Sequence, residues 1–183
     1  MSDTSKQTVF MQAYDACHEA FIRYCSALSY GRMDTKDLVQ DVLVIAYQNF
    51  DKIQDQGKLL HYLVRTARNR SISQWRRSKF RGEWLDKHTE NVVARGVSPE
   101  LSLDIQLLYR MLDKLPSKQR DAVILFEISG FSMREIAVIQ DSTEGAVKTK
   151  ISRGRSKLRQ LMAERPTHNS ITHILATAKT IAL

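Results

Sequence analysis

The sequence predicts an all-α protein: two small helical domains joined by a linker, the second a four-helix domain with a helix-turn-helix. Three observations predict this. The 183 residues include only 7 Gly and 3 Pro, so chain breakers are scarce. Apolar residues recur at spacings of three and four over long stretches, while strand-like alternation is rare. Only FRGEWLDKHTENVVARGVSPE, residues 80–100, loses the period while mixing charges with Gly and Pro, and it reads as a linker.

The elements follow in chain order. A first helical block is predicted over Thr8–Leu28, with Phe10, Tyr14, Cys17, Phe21, Tyr24 and Leu28 on one stripe. After a Ser-Tyr-Gly-Arg turn, Asp34 is placed to cap a second helix running to Phe50, its inner side Leu38, Val42, Ile45 and Ala46. The polar loop DKIQDQGK then leads to a third helix over Leu59–Lys79, with Leu60, Leu63, Val64, Ala67 and Ser71 inward. These make a first domain over 8–79. The second spans 101–162 and opens on Leu103, Leu107, Leu108, Met111, Leu112 and Leu115, patterned for burial. Pro116-Ser117 restarts a helix through Ser129, and Gly130 closes it. Ser132-x-x-Glu135 is a capping box for the next helix, and the last begins beyond Asp141-Ser142-Thr143. In the tail, 163–183, Ile171, Ile174, Leu175, Ala178 and Ile181 form a short amphipathic pattern. Three readings of it stand open: disorder, folding back onto the second domain, or binding a regulator.

Composition narrows the partners. The net charge of +8 and pI near 9.6 favour a polyanion. The clustering says more than the total. Residues 65–82 hold Arg65, Arg68, Arg70, Arg76, Arg77, Lys79 and Arg81 without an acid, whereas 34–55 carry Asp34, Asp37, Asp41, Asp51 and Asp55 against Lys36 and Lys52. A chain that merely coats nucleic acid has no need of that acidic, apolar segment, which reads as a surface for a protein partner. Cys17 and Cys25, without a CxxC, read as small helix residues kept reduced, and a zinc site with His18 would lack a fourth ligand. Neither a signal peptide's apolar core nor a membrane span is apparent, so a soluble cytoplasmic protein is expected. His18, His61, His88, His168 and His173 are scattered, and no carboxylate set or activated nucleophile converges. The expectation is a non-enzyme with no cofactor, metal or small-molecule substrate.

Three faces bear chemistry. Val147–Met162 carries Lys148, Lys150, Arg153, Arg155, Lys157 and Arg159 and no carboxylate. On the helical wheel Val147, Ile151, Gly154, Leu158 and Leu161 form the buried stripe, Thr149, Ser152 and Ser156 lie opposite, and Lys148 and Arg153 flank them. Small hydrogen-bonding groups between long cations suit base edges in the middle and phosphates at the sides, and a helix-turn-helix places its second helix so. Gly145 leaves room for close backbone approach. On the third helix Tyr62, Arg65, Asn69, Ser73 and Arg76 share a line suited to stacking on exposed bases and holding their backbone. On the second, Asp37, Gln40, Asp41, Val44 and Gln48 share the outer face.

Together these segments resemble the extracytoplasmic-function (ECF) branch of the sigma-70 family of bacterial transcription initiation factors, over residues 8–79 and 101–162. DLVQDVLVIAYQNF (37–50) is similar to the family's core-polymerase-binding helix. LLHYLVRTARNRSISQWRR (59–77) is similar to the segment that melts and reads the −10 promoter element. Residues 112–162, with an LP-x-x-x-R start and late EIA and AVKTKISRGR pieces, look like the −35-reading domain. The resemblance implies that Asp37, Gln40, Asp41 and Val44 meet core RNA polymerase, chiefly its β′ subunit. It implies that Tyr62, Arg65, Arg68, Asn69, Ser73 and Arg76 engage −10 DNA, and that the loop 51–58 captures a flipped base. Lys148, Thr149, Lys150, Ser152 and Arg153 would engage −35 DNA, Lys150 through a phosphate. It further implies an anti-sigma factor, often membrane-anchored. Where the family commonly has Trp in the melting helix this chain has His61-Tyr62, and Gly154 stands where Ala is common, at about 1 kcal/mol of helix propensity. An ordinary helix-turn-helix regulator that acts without being a polymerase subunit is the main rival reading, and it leaves 37–50 and 59–77 unexplained. For the tail, a protein-interaction module is also open.

Overall fold

The computed structural model describes residues 3–30, 33–53, 58–81, 98–164 and 169–181, with side chains throughout except at 3–4, 74–81 and 181. Its secondary structure over these residues is helical, and the chain divides into two compact units, Met1–Trp84 and Leu85–Leu183.

The first unit holds α1 (Asp3–Asp15), α2 (His18–Ser29), α3 (Thr35–Gln48), a short 3₁₀ turn (Phe50–Lys52) and α4 (Leu59–Arg81). The single block expected over 8–28 is thus two helices. The ladder slips at Cys17, whose N–H bonds the Tyr14 carbonyl at 2.9 Å, three residues back. No Gly or Pro marks the break. Aromatic packing accounts for it: Phe10 meets Tyr47 and Phe50 edge-on at 5.4 and 5.2 Å, and Tyr14 meets Phe21 at 6.3 Å. Such pairs outweigh the weak preference for one unbroken helix. Asp34 caps α3 as expected, accepting from the Lys36 and Asp37 amides at 2.7 and 3.3 Å. Phe21, Tyr24, Leu38, Leu59 and Leu63 form the fully buried centre where α2, α3 and α4 meet. Tyr14, Cys17, Ile45 and Leu60 are half-buried rather than core.

The second unit begins earlier than the sequence suggests, because α5 (Pro99–Leu112) has Pro at its first position and Ser98 as cap, accepting from the Leu101 amide at 3.3 Å. With α4 reaching Arg81, both ends of the expected 80–100 linker are structured; its residues 82–97 lie outside the described residues. α6 (Ser117–Val123) runs into a π turn (Ile124–Ile128), and Gly130 follows at φ +80°. The Ser129 amide and hydroxyl both donate to the Ile124 carbonyl, at 2.9 and 3.1 Å. This extra residue in the turn seats both Ile128 and Phe131 in the core. α7 (Met133–Ile139) has the predicted capping box, Ser132 and Glu135 bonding each other's backbone. It ends in a Schellman motif in which Ser142 N–H bonds the Ala137 carbonyl and Asp141 takes the left-handed conformation, φ +47°. Aspartate is among the few non-glycine residues that tolerate it. α8 (Glu144–Ala163) starts at Thr143, whose hydroxyl accepts from the Ala146 amide at 3.2 Å.

The tail adds a fifth helix, α9 (Ile171–Ile181), to the four expected. Ile174, Leu175 and Ala178 are buried against α5 and the π turn. The Asn169 amide and side chain both donate to one carboxylate oxygen of Asp104, at 3.0 and 2.9 Å. Asp104 therefore takes an inward position with Ile105 and Leu108, while Leu103, expected in the core, is 59% exposed. In α8 the buried stripe ends on Met162 rather than Leu161, which is half-buried.

α6 and α8 approach closely at Gly154, where a Cβ would stand 2.6 Å from Val123 Cγ2. Valine cannot swing its methyl aside without leaving its rotamer well. Gly154→Ala is therefore expected to destabilise the second unit by about 1–2 kcal/mol, the overpacking cost exceeding the gain in helix propensity. A urea titration followed by circular dichroism checks this; a raised midpoint would refute it, and Val123→Ala in the same chain should relieve the loss.

Candidate nucleic-acid interface

The outer face of α8 is the most fully formed candidate. Lys148, Thr149, Ser152 and Arg153 are all exposed on it. None of the ion pairs among the described residues engages Lys148 or Arg153. Thr149 donates its hydroxyl proton to the Gly145 carbonyl at 2.9 Å, which leaves its oxygen an acceptor lone pair and the exposed side chain its methyl. A methyl there suits contact with a thymine methyl better than donation to a base. A Cβ added at Gly145 would meet nothing within 4 Å.

Two cations of this helix lie elsewhere than the sequence suggests. Lys150 is turned toward the fold: its ammonium donates to Gln140 Oε1 at 2.9 Å and Ser142 Oγ at 3.0 Å, in the turn before α8. Its wheel position beside Gly154 rather than opposite it is the signal that could have shown this. Burial, and then the nearby Lys118, lower its pKa. Arg155 is engaged within the second unit. Its guanidinium pairs with Glu127 and lies 5.5 Å from the centre of the Phe126 ring, tying α8 to the π turn.

On α4, Arg65, Asn69 and Ser73 are exposed in one line, with Tyr62 and Arg68 half-buried beside it. Arg76 falls outside the described side chains, as residues 54–57 of the 51–58 loop fall outside the described residues. Thr66 donates its hydroxyl to the Tyr62 carbonyl at 2.8 Å, so its own polar group is turned inward. On α3, Asp37 and Gln40 are exposed and Val44 is 56% exposed. Asp41 is half-buried and holds Arg70 of α4 at 3.1 Å. That pair was not foreseen, although the acidic run of 34–55 and the basic run of 65–82 were both apparent.

The thiols are held inert. Burial pushes Cys17 up to about 11 and Cys25 well above the ordinary thiol range, so neither ionises near neutral pH. Among the described residues no group of three or more His, Cys, Asp or Glu is placed to hold a metal ion, and no helix is long and apolar enough to cross a membrane.

Comparisons with known proteins point the same way. The family profile described as Sigma-70 region 2 matches residues 13–81, and that described as Sigma-70, region 4 matches 105–158. The ECF RNA polymerase sigma factor EcfG of Rhodopseudomonas palustris is 33% identical over 126 residues, 69% of this chain and 70% of that one. SigW of Bacillus subtilis, another ECF RNA polymerase sigma factor, is 29% identical over 171 residues, 86% and 91% of the two chains. Among solved structures, the sigma factor RpoE in complex with the anti-sigma factor NepR from Bartonella quintana is 29% identical. Its TM-score is 0.60, over 86% of this chain and 98% of that one. CnrH in complex with the cytosolic domain of CnrY is 25% identical with a TM-score of 0.64, over 87% and 91%.

Asp41 and Arg70 are 44% and 42% exposed, so water screens their attraction. Arg70→Ala is expected to change the stability of the chain by less than about 1 kcal/mol. A thermal or urea melt tests it, and a loss of several kcal/mol would mean that the pair is a structural strut rather than a loosely held one.

Proposed function

The chain belongs to the sigma-70 family, and from that premise we propose how its two units divide the work of an alternative sigma factor that directs transcription initiation. α8 reads −35 duplex DNA, with Lys148 and Arg153 on phosphates and Thr149 and Ser152 toward base edges. α4 engages the −10 element, Tyr62 offering a stacking surface and Arg65, Arg68, Asn69, Ser73 and Arg76 holding the strand. α3 docks on core RNA polymerase through Asp37, Gln40, Asp41 and Val44, an acidic face with one exposed apolar residue at its end. The polymerase makes the bonds; this chain is not an enzyme and acts in the cytoplasm. An anti-sigma factor is a further partner, a reading supported by the complexes of RpoE with NepR and of CnrH with CnrY.

The observation that carries this reading is the α8 face, where Lys148, Thr149, Ser152 and Arg153 are exposed together on a capped helix-turn-helix. A helix-turn-helix regulator that never joins polymerase would also present such a face. It would not account for a region 2 match over residues 13–81.

Purified chain mixed with core RNA polymerase and a library of promoter fragments is expected to yield run-off transcripts with defined starts. Absence of both transcripts and core binding would overturn the reading. Affinity for duplex should fall with salt at a slope of roughly −0.9 per phosphate contacted.

Tyr62→Ala removes the stacking surface and is expected to lower promoter opening by roughly five-fold or more, from about 1–3 kcal/mol of stacking per base. Permanganate reactivity of thymines at the −10 element reports this, with core affinity unchanged as the control. Opening equal to wild type would remove Tyr62 from the melting surface.

A further inference from the structure

The turn between α7 and α8 is held by an arrangement that neither unit repeats among its described residues. Lys150 projects from the flank of α8 back across the turn, not outward with Lys148 and Arg153. Its ammonium donates to Gln140 Oε1 at 2.9 Å and to Ser142 Oγ at 3.0 Å. Gln140 is the C-cap of α7, and its side-chain amide donates in turn to the Lys118 carbonyl in the first turn of α6, at 3.3 Å. One cation thereby joins the recognition helix, the turn, the end of α7 and the start of α6. Both acceptors are neutral, so the contact contributes direction rather than charge neutralisation. Between them sits Asp141 at φ +47°, a backbone conformation that needs its surroundings to keep it.

We infer that Lys150 is a positioning residue for −35 recognition: it sets the angle at which α8 leaves the turn, and does not neutralise a phosphate. The inference rests on the proposed DNA reading by α8 and deepens it. Phosphate contacts fix register without reading sequence, whereas base contacts fail when a helix is misplaced by a fraction of an ångström. Loss of a positioning residue should therefore erode discrimination between sequences and leave the salt dependence alone. Loss of a phosphate contact should do the reverse. The lowered pKa of Lys150, caused by burial first and then by Lys118, agrees with an ammonium drawn toward the turn.

The test uses the full chain on core RNA polymerase. The preferred −35 sequence is first selected from a randomised duplex library, and binding to it and to single-base variants is then measured across salt concentrations. Wild type should discriminate by roughly five-fold or more per base pair. Lys150→Met keeps the stem and removes the ammonium. It is expected to lower that discrimination at least about three-fold while the slope of log affinity against log salt stays within about 0.3 of wild type. Lys148→Met should instead reduce the slope by about 0.9 and keep the sequence preference. Gln140→Met should reproduce the Lys150→Met phenotype, and the double variant should add little to either. Lys150→Arg, which can still reach both acceptors, should restore part of the preference.

A Lys150→Met chain with a slope reduced like that of Lys148→Met and its preference intact would overturn the inference in favour of a phosphate contact. Unchanged slope and unchanged preference, with Gln140→Met also silent, would overturn it as well. Circular dichroism at the assay temperature guards against simple unfolding; if Lys150→Met does not fold, Gln140→Met and Lys150→Arg carry the same comparison. Failure of wild type to select any −35 sequence would sink the proposed function itself, an outcome distinct from wild type selecting one that Lys150→Met reads equally well.

Discussion

The close approach of α8 to α6 at Gly154 is the constraint on which the proposed DNA-facing surface depends. With only a hydrogen at Gly154, the backbone of α8 can lie against Val123, and the Gln119 carbonyl and Leu115 side chain close the same seam. Val147, Ile151, Leu158 and Met162 follow the glycine into the core, which fixes the rotation of α8 about its own axis. Once that rotation is set, Lys148, Thr149, Ser152 and Arg153 have no choice but to face outward. The glycine costs about 1 kcal/mol of helix propensity, and the packing it allows orients the outer face of α8 in return.

Polar contacts then settle what apolar packing leaves free. A seam of valine, isoleucine and leucine constrains rotation well but tolerates some sliding and tilt. The Ser132–Glu135 capping box fixes where α7 starts, the Schellman turn fixes where it ends, and Thr143 fixes the first turn of α8. Arg155 pins the far half of α8 to Glu127 and Phe126 on the π turn. In the same unit, Asn169 and Asp104 anchor α9 over α5, so the tail completes the core rather than trailing from it.

Much of this was legible in the sequence because it rests on local chemistry. The Asp34 cap, the Ser132–Glu135 box, the Gly130 stop and the stripe Val147–Ile151–Gly154–Leu158 all follow from residue type and helical period. What escaped depends on contacts far apart in the chain. The α1–α2 break has no breaker residue and comes from Phe10 reaching Tyr47 and Phe50. Leu103 yields its core position because Asp104 must reach Asn169, sixty-five residues away. The proposed site shows the same division. Period alone put Lys148, Thr149, Ser152 and Arg153 on the exposed side. It sets Lys150 toward the buried side, beside Gly154, but does not name the partners that hold Lys150 in the turn before α8 and Arg155 on the π turn.

The pairing of charges within each unit separates structural from available cations, and the separation is informative about how the protein works. Arg155 is paired with Glu127, and Lys150 is bonded to Gln140 and Ser142, so offering either to DNA would give up those contacts. Lys148 and Arg153 carry no such obligation. In the first unit the division is less absolute. Asp41 of α3 and Arg70 of α4 hold each other across two helices that bear different proposed partners, and both are nearly half exposed. A pair of this kind contributes little to stability, so either member can be drawn away at small cost. A basic polymerase surface that takes Asp41 would leave Arg70 without its acid on the same helix as Arg65 and Asn69. Docking on polymerase and readiness of α4 for DNA would then be coupled through a single weak contact, without any change of fold.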